Sequence, residues 1–214
     1  MNHTDISRQR RLPYATITIA AANVIYFFYL LFIGALGTTS GMVDKGALLV
    51  VKGTYIGGWS QLFTSMFMHF DIQHIGGNLL IMVIIGAMLE ERLGRVRFLF
   101  SYFVSGLAGN AATILWYCML GKTVVSAGAS GAVFGLVGTL FCLIFRNRGS
   151  VPGFSRSRML IMIFLIIYSG YNSAGINTVA HVAGFLAGTL CGLLFNSIWK
   201  AWQEDRKDGP FAGA

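Results

Sequence analysis

Charge is scarce in this chain. Only 11% of its 214 residues are Asp, Glu, Lys or Arg while 55% are hydrophobic, and a soluble domain usually carries about 25% charge. So few charges cannot cover a water-facing surface, which excludes an ordinary soluble domain of this length. Charge is missing altogether from Leu12 to Val43 and from Met159 to Trp199, runs long enough to enter a bilayer. Cysteine is rare too. Cys118, Cys142 and Cys191 form an odd set inside apolar stretches, a poor disulfide framework that reads instead as small packing residues. Arg8, Arg10 and Arg11 before the first apolar run resemble a signal peptide. That run far exceeds the roughly 7–15 residues of a cleavable core, and no A-x-A site closes it. A retained anchor is expected.

What is present is a series of apolar segments. Crossing the hydrocarbon takes about 20 apolar residues in a helix. Six stretches qualify, roughly 14–38, 73–90, 97–119, 125–145, 159–175 and 178–199. The expected fold class is therefore an all-α membrane protein, a bundle of six transmembrane helices over residues 14–199 between short tails at 1–13 and 200–214. The stretch 39–72 holds Asp44, Lys45 and Lys52 among apolar residues, together with Gly57, Gly58, Trp59 and Gln61. It suits neither a span nor a polar loop, and a membrane-associated first loop is expected there.

The net charge of +8 would suggest nucleic acid in a soluble protein, but its placement speaks for a membrane. Six spans put both termini on one side, with the loops after spans two and four. All of the 16 Lys and Arg except Lys45, Lys52 and Lys122 fall on that side. The positive-inside rule makes it cytoplasmic. The expectation is a multi-pass protein of a plasma (inner) membrane with both termini in the cytoplasm and no nucleic-acid partner. Trp199 and Trp202 then fall where an interfacial aromatic belt belongs.

Polar residues inside spans carry the functional information. His74 and Asn78 share one helix face at the start of span two; Ser130 opens span four and His181 opens span six. Spans two, four and six run in the same direction, so their first turns meet at the outer side. A serine hydroxyl needs a base to take its proton, and neutral histidine is the usual one. Oxyanion donors could come from His74, from Asn78 and from the backbone N–H groups at the start of span four. No acidic residue is placed to orient His181, so a dyad is expected. An isolated intramembrane serine usually bonds a carbonyl one turn back, and an isolated buried histidine is usually structural. Four such residues at one level are a different matter. Small residues Ala127, Gly131, Gly135 and Gly138 on span four, and Gly184, Gly188 and Gly192 beside His181 on span six, would let these two helices approach closely.

Gly128-Ala129-Ser130-Gly131 resembles the GxSG motif of the rhomboid family, with its nucleophilic serine. His181-Val182-Ala183-Gly184 through Gly188 is similar to that family's last-span histidine and glycines, and His69 with His74 and Asn78 to its paired histidines and asparagine. Glu90, Arg92 and Gly94 resemble its pattern closing span two. The resemblance runs over roughly residues 57 to 193. It implies Ser130 and His181 as the catalytic pair, and His74, Asn78, Gly128 and the Ser130 N–H as the oxyanion and substrate-positioning set. Phe134, packed on the His181 ring, would support the pair, as would His69, Gly131 and Gly184. The activity implied is cleavage of single-pass membrane proteins near the outer face through an acyl-enzyme, with no metal, nucleotide or other cofactor. Two departures stand out: Ser60-Gln61 replaces the Trp-Arg often found in the family's first loop, and Phe134 stands where Tyr is frequent.

Other readings compete. A metalloprotease built on His69, His74 and His181 lacks the i, i+4 histidines and the glutamate of an H-E-x-x-H helix. An aspartyl protease lacks a second intramembrane carboxylate beside Asp71. A catalytically silent relative that binds membrane clients would typically lack the serine or the histidine. A small transporter would more often show broken helices or carboxylates near mid-membrane.

Overall fold

The computed structural model describes residues 12–147, 155–157, 159, 160, 163 and 177–207, with side chains through residue 201. The chain is mostly helical. Helix α1 (Tyr14–Phe32) ends before the expected residue 38. The cause is local: Gly34 and Gly37 take φ of +70° and +85°, a region open to glycine and costly for other residues.

The first loop is folded. Helix α2 (Thr39–Asp44) is capped by the Thr38 hydroxyl, which accepts from Gly41 N at 3.2 Å. Strands β1 (Leu48–Val51) and β2 (Thr54–Tyr55) form a hairpin about Lys52 and Gly53. Their φ values of +46° and +80° are those of a two-residue turn that matches strand twist. Helix α3 (Trp59–Thr64) and a 3₁₀ turn (Ser65–Phe67) follow. Gln61, at a position where the family resemblance marked a departure, secures this loop locally. Its Oε1 accepts from Gly58 N at 3.1 Å and from the Tyr55 hydroxyl at 3.3 Å.

Helices α4 (Ile72–Leu93) and α5 (Arg95–Met119) come next, separated by Gly94 at φ +83°. Strand β3 (Val124–Ser126) then pairs antiparallel with β1, Leu48 opposite Ser126 and Val50 opposite Val124. This corrects the expected helical start at 125. A short apolar Val-Val-Ser run suits a strand as well as a span, and the free edge of β1 supplies backbone partners. Helix α6 (Ser130–Arg146) begins only at the serine, so Ala127 is not part of its small-residue arc. Helices α7 (Thr178–Leu194) and α8 (Asn196–Lys207) replace the expected span 178–199, with the break at Phe195.

Among the described residues three helices are long and apolar enough to cross a membrane: α1, α4 and α5. The 17-residue helices α6 and α7 are apolar but shorter. The expected fifth span, 159–175, lies almost wholly outside the described residues. So does the segment Tyr168–Ile176 that sequence suggests as a gate.

Helix α6 is the hub. Its Ala132, Val133, Leu136, Val137, Leu140 and Leu143 are buried against Met82, Ile85 and Leu89 of α4 and Phe98 and Tyr102 of α5. Trp199 joins this core, fully buried, with the Arg92 guanidinium 5.7 Å from its ring. Trp199 therefore packs against protein instead of facing outward, because the break at Phe195 lets α8 lay it against the end of α4. Glu90, also buried, explains how α1 is held. Its carboxylate accepts from Ala15 N at 3.0 Å, Thr16 N at 2.8 Å and Thr16 Oγ1 at 2.9 Å. A helix start leaves N–H groups unpaired and partly positive, and a carboxylate there satisfies both.

Candidate active site at the α6–α7 seam

The seam between α6 and α7 is made of backbone. A Cβ added to Gly184 would collide with the Gly131 carbonyl, one on Gly188 with the Gly135 carbonyl, and one on Gly138 with the Phe185 carbonyl. Only glycine permits such contact. Thr139 Oγ1 crosses the seam, 2.9 Å from Gly188 O and 3.0 Å from Gly135 O of its own helix. Cys142 packs at Gly192 further along, and Cys142 and Cys191 are free thiols.

This approach brings Ser130, in the first turn of α6, to His181, in the first turn of α7. Ser130 Oγ and His181 Nε2 are 2.9 Å apart. With Nε2 unprotonated, the serine O–H donates to it. The Phe134 ring lies flat on the imidazole, centroids 4.2 Å apart and planes 8° from parallel. Among the described residues His181 forms no ion pair with a carboxylate.

The turn before the serine is bound to the first loop. Gly128 N donates to Ser65 O at 2.8 Å, and Asn110 Nδ2 of α5 donates to Leu62 O at 2.8 Å and Ser65 Oγ at 3.0 Å. Gly128 takes φ +144°. A Cβ there would stand 2.9 Å from His74 Cε1 and Nε2 and 3.5 Å from Ser130 Oγ. The His74 ring therefore covers Gly128 at the edge of the serine. Asp71 Oδ1 accepts from His74 N at 2.7 Å and so caps α4.

The remaining candidates lie further back. Asn78 is buried and donates through Nδ2 to His74 O at 3.1 Å, on its own helix. Its second N–H remains for another acceptor. His69 is fully buried, its ring edge-on to His74 with centroids 4.9 Å apart. No described side chain completes a hydrogen bond with either ring nitrogen; a backbone interaction at Phe67 is its polar support. Burial pushes its pKa down to about 3, and neighbouring His74 adds to the shift, so His69 is neutral at physiological pH. Gly131 and Gly184 face each other across the seam. No three His, Cys, Asp or Glu side chains among the described residues converge closely enough to hold a metal ion. Sequence reasoning missed Asn177, which precedes α7. The signal available was its type, an N-cap residue one position ahead of an apolar run.

Long apolar helices around a glycine seam that carries a Ser–His contact define an integral membrane protein with the elements of a hydrolase. The Rhomboid domain model matches residues 57–198, and the chain belongs to the rhomboid family. It is 33% identical over 188 residues to the putative rhomboid protease YdcA of Bacillus subtilis, covering 86% of this chain and 89% of that one. It is 28% identical to the rhomboid protease GluP of the same organism over 84% of this chain, and 32% identical to RHOMBOID-like protein 1 of Arabidopsis thaliana over 75%. The matched region spans only 34% of GluP and 41% of the Arabidopsis protein, which are longer chains.

Proposed function

We propose that this chain is an intramembrane serine endopeptidase acting through Ser130 and His181. The 2.9 Å contact between Ser130 Oγ and His181 Nε2 carries the reading. His181 Nε2 takes the hydroxyl proton as Oγ bonds to a peptide carbonyl carbon. The tetrahedral oxyanion is met by His74, by the second N–H of Asn78 and by first-turn amides of α6, which have no partners within the helix. The C–N bond then breaks, His181 returns the proton to the leaving amine, and an acyl-enzyme remains. Water, deprotonated by the same histidine, releases the second product. Phe134 keeps the imidazole plane fixed through both steps.

Membership in a family generally made of serine intramembrane proteases supports this chemistry, as does the protease name of two similar Bacillus proteins. The charge asymmetry supports a six-span bundle with cytoplasmic termini and the dyad toward the outer face of a plasma (inner) membrane. The substrates are single-pass membrane proteins whose segments unwind near that face.

Purified protein in proteoliposomes is expected to cleave a single-pass model substrate. Ser130→Ala and His181→Ala should each lower the rate by more than about 1000-fold. Equal cleavage by all three proteins would remove the assignment. A fluorophosphonate should label the wild type and leave Ser130→Ala unlabelled. A wild type that binds the substrate but is neither labelled nor active would be a silent client-binding relative.

A further inference from the structure

Asn177 stands immediately before α7, and its side chain touches three separate elements. Its Oδ1 accepts from Ala180 N at 3.2 Å, capping α7. That backbone donor requires an oxygen, which fixes the amide orientation and aims Nδ2 the other way. Nδ2 donates both protons: to Thr113 Oγ1 of α5 at 2.8 Å and to Ser126 Oγ of β3 at 2.9 Å. Neither acceptor is free to drift. Thr113 is buried and its own hydroxyl donates to Gly109 O at 2.8 Å, while Ser126 is buried and held opposite Leu48 in the sheet. All four hydrogen-bonding positions of one amide except a single acceptor lone pair are thus used.

The two sides it joins are the two sides of the dyad. His181 N bonds back to Asn177 O at 3.3 Å, so the histidine's turn starts from Asn177 itself. Ser126 is the last residue of β3, which leads through Gly128 to Ser130. We infer that Asn177 is a positioning residue of the active site, a clamp that sets the separation of Ser130 and His181 by tying the start of α7 to the strand that delivers the serine. A helix cap alone needs only Oδ1. The bridge to Thr113 and Ser126 adds nothing to the cap and much to the register of the two first turns. Small displacements of a nucleophile from its base cost rate more than binding, because the misalignment is felt in the bond-forming step.

The inference rests on the protease reading, and the experiment separates the two. Asn177→Ser keeps a capping oxygen but cannot reach both hydroxyls. In proteoliposomes with the single-pass substrate, it should lower kcat about tenfold with KM within about twofold, slow fluorophosphonate labelling of Ser130 in parallel, and leave thermal melting close to wild type. Ser126→Ala should lower kcat in the same sense. The double variant should be no slower than Asn177→Ser, since both changes break one bridge. Asn177→Gln, which retains the amide, should recover part of the rate. Wild-type kcat and labelling in Asn177→Ser, or strictly additive losses in the double variant, would overturn the clamp while leaving the protease standing. Loss of activity only in step with loss of melting temperature would also overturn it, by reducing Asn177 to a cap. A wild type without cleavage or labelling would overturn the protease reading and the clamp with it.

Discussion

Gly76 and Gly77 on α4 and Gly184 and Gly188 on α7 flank the same site, yet they do opposite things. A Cβ on either α7 glycine runs into the backbone of α6, whereas one on Gly76 or Gly77 meets nothing within 4 Å. The α6–α7 side holds Ser130 and His181 by backbone contact that tolerates no extra atom. The α4 side carries His74 and Asn78 on a helix whose Gly76 and Gly77 meet no neighbour within 4 Å. The pair that would make and break bonds is thus rigidly set. The residues that would receive the oxyanion sit on a helix that no neighbour crowds at Gly76 and Gly77.

This contrast can be broken in several places. The largest effect should come from Gly188→Ala, whose methyl group must part α7 from α6 at the Gly135 carbonyl. Cleavage should fall to background and stability by about 1–3 kcal/mol; near-normal cleavage would show that the seam does not set the dyad. Gly128→Ala should follow. Its φ of +144° is poorly tolerated by alanine, and the methyl would press on the His74 ring 2.9 Å away. A 10- to 100-fold fall in kcat is expected with most of the stability retained, and unchanged kcat would dissociate His74 from the reaction. Glu90→Gln touches neither side directly. Loss of the buried carboxylate at the start of α1 should cost about 1–3 kcal/mol in a melting experiment while the Ser130 labelling rate at low temperature stays near wild type. A labelling defect equal to that of Gly128→Ala would mean that α1 also aligns the site. The smallest effect belongs to Gly76→Ala. Filling open space on a helix should stabilise by up to about 1 kcal/mol with cleavage within twofold. A tenfold loss would show that substrate needs that space.

The same glycines show how far the sequence could be read. The partners of Gly184 and Gly188 are legible because their spacing matches the spacing on α6, and the GxSG and histidine motifs place the dyad on those helices. The opposite fate of Gly76 and Gly77 is not legible, since one sequence cannot say which helix face has a neighbour. The sheet was hidden for a related reason. Val124–Ser126 is apolar and only three residues long, so no periodicity separates a strand from the first turn of a span. Its partner β1 sits in a first loop whose mixed composition revealed an unusual region without revealing its hairpin. Trp199 looked like an interfacial anchor from its place after an apolar run, but the break at Phe195 turns it into the core. Asn177 was passed over because a cap residue is read locally, while its other two partners come from elements 51 and 64 positions away.

The pairing of β1 with β3 carries a consequence for biosynthesis. Lys52 and Thr123, hydrogen-bonded at one end of this sheet, are 71 positions apart. Everything between them, α4 and α5 included, must leave the ribosome and enter the bilayer before the sheet can close, and domains are completed from the N-terminus onward. Closing so long a loop is slow compared with forming the helices inside it. The histidine arrives later still, on α7. A nascent chain therefore carries Ser130 for 51 residues of synthesis before His181 is made, so the proposed dyad cannot form before α7 has been synthesised and packed against α6.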